Sequence, residues 1–184
     1  MKALPAKSFK RWWVNFFSGF SLWREEELFE AYLKKSQYAV SGFSLGAVRA
    51  FEYVQNNSDR IDTLQLFSPA FFQDKSEKFK RLQTISYQKN SDAYKKLFLE
   101  NIAYPSTYEL KRYFKKDTLE SLQKLLEFTW EAEKLVELKK RGILIEVYLG
   151  GKDKIIDSKK AYDFFKNYAT VYFIKEGGHT LWTK

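Results

Sequence analysis

Gln37-Tyr38-Ala39-Val40-Ser41-Gly42-Phe43-Ser44-Leu45-Gly46-Ala47-Val48 holds the pattern G-x-S-x-G between a strand-like run and a helix-like run. Gln37 to Val40 is short and suits a buried strand, whereas Ala47, Val48, Ala50, Phe51 and Val54 recur at helical spacing. Glycines bracket the serine for a steric reason. A serine on a sharp strand-to-helix turn has strained backbone angles, and a side chain at either flanking glycine would collide with the turn. Such a turn lifts the serine oxygen clear of a sheet and aims the first helix amides at a developing oxyanion. By itself the pentapeptide is a weak signal, because a serine in a glycine-rich turn is usually only a turn residue. The strand before it and the helix after it give it weight.

The chain has one histidine, His179, and no cysteine. A serine used as a nucleophile needs an imidazole to take its proton and return it to the leaving group. His179 is the one available, in Glu176-Gly177-Gly178-His179-Thr180 after the strand-like run Val171-Tyr172-Phe173-Ile174. A carboxylate should complete the set from the end of another strand. Ile143-Leu144-Ile145-Glu146-Val147-Tyr148-Leu149 is the best strand pattern in the chain, and Gly150-Gly151-Lys152-Asp153 follows it. Asp153 sits in the turn, whereas Asp157 suits the N-cap of a helix starting near Ser158. The order Ser44, Asp153, His179 is that of α/β-hydrolases, and each residue follows a strand pattern. The expected chemistry uses no metal and no cofactor.

At 184 residues the expectation is a single domain, residues 1–184, with a real core. No apolar run reaches membrane-spanning length, and the basic stretch Met1–Lys7 has no apolar signal region behind it. A soluble cytoplasmic protein is the simplest expectation. Net charge is +9, and the excess is concentrated. Residues 75–116 carry eleven basic side chains against four acidic ones, which leaves seven of the nine net charges there. A field of one sign suggests an acidic partner. Nucleic acid is suggested only by this charge and by an aromatic content of 18%; no recognised nucleic-acid motif accompanies them.

Working outward, Trp12–Phe17 reads as a first strand, and Glu25–Lys35 as a helix burying Leu28, Phe29, Tyr32 and Leu33. Thr63–Phe67 is another strand. Residues 71–141 read as mostly helical, with Leu119, Leu122, Leu125, Leu126 and Trp130 forming an apolar core stripe. A helix through Ala161, Phe164 and Phe165 precedes the last strand. Alternating elements imply an α/β fold with a mostly parallel sheet of about five strands. The long helical stretch is then a lid insertion over the C-terminal sheet edge, where open α/β sheets bind ligands.

With these residues in view, the chain resembles a trimmed α/β-hydrolase, and more narrowly the compact pimeloyl-acyl-carrier-protein methyl ester esterases of biotin synthesis, the BioV type. Phe17-Ser18-Gly19-Phe20, Gly42–Gly46, Leu64–Phe72 and the Asp153 and His179 loops carry the likeness. The resemblance implies that the amides of Phe20 and Leu45 form an oxyanion hole, although Ser18 stands where the wider family usually has histidine. It implies a carrier-bound pimeloyl methyl ester as substrate and an acyl-carrier protein as partner. Clustering singles out Lys111, Arg112, Lys115 and Lys116 as carrier contacts. Another carboxylesterase, an acyl-thioester hydrolase, and a non-catalytic module for an acidic partner are the alternatives.

Overall fold

The structure, a computed structural model, describes residues 15–183. Met1–Lys7 and Trp12–Val14 therefore lie outside the described residues. Five strands are β1 (Asn15–Phe17), β2 (Ala39–Phe43), β3 (Thr63–Phe67), β4 (Leu144–Gly150) and β5 (Thr170–Ile174). Each is parallel to the next, in the order β1-β2-β3-β4-β5. Six helices are α1 (Leu45–Asn56), α2 (Glu77–Lys89), α3 (Ser91–Ala103), α4 (Leu119–Glu127), α5 (Ala132–Lys140) and α6 (Ser158–Phe165). Asp157 caps α6 through the Lys160 amide, as its position in the sequence suggests.

The two sheet faces are built differently. On the α1 face, Val40, Leu64, Leu66, Ile145, Val147 and Leu149 are fully or almost fully buried. The opposite face carries two rows in register. One is aromatic: Phe43 stands beside Phe67, Phe67 beside Tyr148, and Tyr148 beside Tyr172. The last three rings lie 4.9 and 4.7 Å apart. The other row is polar. Ser41 donates to Gln65, and both Gln65 Nε2 and the Tyr148 hydroxyl donate to Glu146. Buried polar groups here satisfy one another rather than water.

This polar row explains a departure from the expected helix over Glu25–Lys35. Only a 3-10 turn forms, Glu25–Phe29. The Gln65 carboxamide donates to the Tyr32 carbonyl and accepts from the Lys34 amide, each at 2.9 Å. Backbone groups that would have continued a helix are thus engaged by the sheet. Leu28 and Phe29 are still buried, and Phe29 stacks on Phe67 at 4.7 Å.

The stretch 71–141 divides by role. Helices α2 and α3 rise over the C-terminal sheet edge, where Phe98 of α3 meets Phe20 edge-on at 5.4 Å. Helix α4 flanks α1 through Lys124–Glu52 and Arg49–Ser121 contacts. Helix α5 is a crossover into β4 rather than lid, for Arg141 at its end donates to the Val54 and Asn57 carbonyls at the end of α1. The expected apolar stripe is core: Leu122, Leu125, Leu126 and Trp130 are at most 2% exposed. Trp130 lies 5.0 Å from the rings of Phe51 and Phe165, joining α1 to α6, and its indole N–H donates to the Ala70 carbonyl at 2.8 Å.

Trp130→Phe keeps a ring in this junction but leaves the Ala70 carbonyl buried without its donor. Urea denaturation should register a loss of about 1–3 kcal/mol. An unchanged midpoint would mean that the indole bond contributes nothing.

Candidate active site

The strand-to-helix turn at Ser44 is a sharp one. Ser44 has φ 54° and ψ −115°, a backbone region that a non-glycine residue occupies only when its surroundings hold it there. Its amide donates to the Phe67 carbonyl at 2.9 Å, and its carbonyl accepts from the Ala70 amide at 3.1 Å. A Cβ at Gly42 would strike the Gly46 carbonyl, and one at Gly46 would strike the carbonyls of Phe17 and Ser18. Helix α1 therefore starts against the end of β1. Leu45 is the first residue of α1, so its amide has no carbonyl within the helix to bond. The Phe20 amide likewise has no partner among the described residues.

Asp153 and His179 meet. His179 Nδ1 lies 2.6 Å from Asp153 Oδ2, and both side chains are fully buried. The other carboxylate oxygen accepts the amides of Ile155 at 2.7 Å and Ile156 at 3.1 Å. A carboxylate so placed can only accept, so Nδ1 carries the proton and Nε2 presents a lone pair. Main-chain bonds hold the two loops in register: Gly151 donates to Ile174, and Lys152 to Gly177. Asp157 stays at the α6 cap and takes no part.

Ser44 is adjacent in sequence to Phe43, whose ring lies 4.9 Å from that of His179. Ser44 Oγ and His179 Nε2 are both buried, and neither has a hydrogen-bond partner. The structure thus joins aspartate to histidine and leaves the serine–histidine bond unmade. Such bonds often tighten only when a substrate is bound. Ser44 is 1% exposed and His179 0%, so both side chains are shut off from solvent.

Sequence reasoning missed Glu25. Its carboxylate is fully buried and accepts the Gly19 amide at 2.6 Å, fixing the turn that carries Phe20. The signal was hidden because Glu25-Glu26-Glu27 reads as a solvated helix start. A second restraint on that turn comes from residues 113–115. Leu22 bridges Phe114 in antiparallel fashion, Trp23 donates to Tyr113, and Lys115 donates to Ser21.

The four cations singled out by clustering do not form one free patch. Lys111 lies 4.0 Å from Glu109, and Arg112 bonds Glu27 at 2.7 Å and the Tyr113 hydroxyl. Lys115 and Lys116 line a pocket of about 320 Å³ with Ser18, Gly19, Trp23 and Arg49. A separate, mostly apolar cavity of about 250 Å³ lies among α2, α3, α4 and the Ile155 loop, where Phe72, Phe79, Phe98, Leu125, Leu126 and Ile155 meet Gln83, Asn101 and Lys154. Among the described residues no cluster of histidine, aspartate and glutamate has the makings of a metal site, and no helix is long and apolar enough to cross a membrane.

No protein-family model and no curated protein sequence matches the chain. Solved structures do. An esterase from Exiguobacterium antarcticum superposes with a TM-score of 0.60 at 16% identity, over 77% of this chain and 59% of the other. BioG from Haemophilus influenzae gives 0.56 at 12% identity, over 90% and 87%. The hydrolase olei00960 from Oleispira antarctica gives 0.56 at 12% identity, over 77% and 58%. The chain thus spans about six-tenths of the esterase's length and most of BioG's. Its fold is that of the α/β-hydrolases, in a trimmed form.

Burial raises the Glu25 pKa above its ordinary 4.5, with the Gly19 amide pulling it partly back. The folded chain therefore holds this proton more tightly than the unfolded chain does, and the associated stability is lost as pH rises from 4.5 through the raised value. Glu25→Gln keeps an acceptor for Gly19 and removes that loss. Thermal melts across pH should show the variant gaining on the wild type over this window; parallel curves would contradict a strained, buried carboxylate.

Proposed function

We propose that the chain is a serine hydrolase of carboxylic esters. The buried Asp153–His179 pair, whose imidazole packs on the ring of Phe43 next in the chain to a strained serine at a helix N-terminus, is the observation that carries this reading. Ser44 Oγ attacks the ester carbonyl carbon while His179 Nε2 takes its proton. Asp153 holds the ring in the required tautomer and stabilises the imidazolium. The amides of Leu45 and Phe20 donate to the oxyanion; one such donor is typically worth about 10²–10³ in rate. The bond to the alkoxide breaks as His179 returns the proton, so the alcohol departs and an acyl-serine remains. Water then attacks the acyl carbon, again deprotonated by His179, and releases the acid and Ser44.

The finer assignment is a methyl ester at the end of a pimeloyl chain held on an acyl-carrier protein, with methanol as the leaving alcohol. The sequence resemblance supports it, as does the mostly apolar cavity among α2, α3 and α4. Lys115 and Lys116, beside the oxyanion loop, are the better placed of the four cations to meet an acidic carrier. Lys111 and Arg112 already have acidic partners.

Ser44→Ala should lower ester turnover by on the order of 10⁴-fold or more, with an unchanged circular dichroism spectrum, and should abolish labelling by a fluorophosphonate. Persistent labelling or turnover would remove Ser44 as nucleophile. Asp153→Asn should cost about 10⁴-fold through the wrong histidine tautomer. For the finer assignment, mass spectrometry of the carrier-bound methyl ester should show the methyl group lost and the thioester intact. Loss of the thioester instead would assign acyl-thioester hydrolysis. Added salt should slow that reaction more than hydrolysis of a short soluble ester; equal slopes would count against an electrostatic dock.

A further inference from the structure

Helix α3 carries a lysine where its pattern calls for an apolar residue. Lys95, Phe98 and Ile102 form its buried stripe. Lys95 is only 2% exposed, and its ammonium has no hydrogen-bond partner. It lies over the face of Tyr87, 5.1 Å from the ring centroid. No carboxylate lies within hydrogen-bonding distance of it among the described residues. Buried charges are normally paired, since an effective desolvation penalty is several kcal/mol per ion. An aliphatic side chain would fill the same volume without that cost. The surroundings are dry: burial pushes the phenol of Tyr94, 5.6 Å from the Tyr87 ring, up to about 12.

A second unsatisfied donor lies on the same loop as Phe20. The Ser21 hydroxyl is buried without a partner. Tyr87 ties the two together. Its ring lies 6.3 Å from that of Phe20, and its hydroxyl donates to the Asp117 carbonyl. The Asp117 carboxylate accepts the Ser21 amide. A hydroxyl next in the chain to Phe20, whose amide is a proposed oxyanion donor, and an ammonium one ring further out, across Tyr87, thus both lack acceptors.

We propose that Lys95, with Ser21, recognises the second carbonyl-bearing end of a dicarboxylic acyl chain whose ester carbonyl is held at Ser44. This deepens the esterase reading and rests on it. Two unsatisfied donors match a terminal carbonyl oxygen, whether of a carboxylate or of a thioester; a methyl terminus gives them nothing. Substrate can reach the closed site only when the lid lifts. Helix α3 moves with the lid, so Lys95 is hydrated in the open state and needs an acceptor on closing. A chain with a carbonyl at its far end supplies one, and the ammonium then stabilises the closed complex instead of opposing it.

The test is calorimetric binding to the Ser44→Ala protein, which does not depend on turnover. Monomethyl pimelate and methyl heptanoate present the same ester and nearly the same chain; one ends in a carboxylate and the other in a methyl group. The half-ester should bind at least ~10-fold tighter. That advantage should shrink to within ~2-fold on adding Lys95→Met and persist on adding Lys96→Met, its exposed neighbour, which controls for general attraction to a basic protein. Equal affinities for the two esters overturn the proposal without any Lys95 variant having to fold. An advantage that survives Lys95→Met overturns it too. Fluorophosphonate labelling of the wild type and its turnover of methyl heptanoate report separately on the esterase reading.

Discussion

The close approach of helix α1 to strand β1 is the constraint on which the site depends. Gly46 lies against the carbonyls of Phe17 and Ser18, and Gly42 against the Gly46 carbonyl. With no side chains between them, the first amide of α1 and the loop after β1 converge above the sheet. Ser44 is carried to the same point by a backbone held from both sides, through Phe67 and Ala70. Ser21, Arg24, Ser68 and Leu181 share positive φ values with Ser44, all in segments that follow the ends of strands. Conformational strain is thus concentrated along the rim that carries the candidate site.

Beneath that rim, the sheet stands on unequal supports. Its α1 face is an ordinary apolar core, sealed by Trp130 between Phe51 and Phe165. Among the described residues, the other face has no long helix over it. A 3-10 turn and the segment after it serve instead, anchored by the Gln65 carboxamide to the main chain at Tyr32 and Lys34. The aromatic row from Phe43 to Tyr172 and the polar row below it supply what a helix would otherwise cover. A fold can lose much of its usual cladding when the exposed rows satisfy their own hydrogen bonds.

The side chains of Asp153, Glu25 and Lys95, all buried, differ in how they are compensated. Asp153 has two amides and an imidazole. Glu25 has the Gly19 amide and an oxygen left without a partner. Lys95 has only an aromatic face. The best compensated is held most firmly in one geometry, as an orienting carboxylate must be. The least compensated sits on α3, where an unpaired charge carries its full desolvation cost.

Much of this was legible in the chain itself. The glycines around Ser44, the order of serine, aspartate and histidine, and the strand at Thr63–Phe67 are local signals, because steric demands and alternating burial act on neighbouring residues. Asp157 as a helix cap is local too. Tertiary structure alone decided the rest. Glu25 turned inward from an acidic run because a buried amide at Gly19 needed an acceptor. Residues 30–35 gave up a helix because Gln65, thirty residues on, took their backbone groups. Lys95 lost its water because its helix was laid over Phe20. Arg112, one of a basic cluster by sequence, was already committed to Glu27. Sequence fixes which groups a chain carries and its short-range geometry; which partners they find, and at what cost in hydration, depends on segments far apart in the chain being folded together.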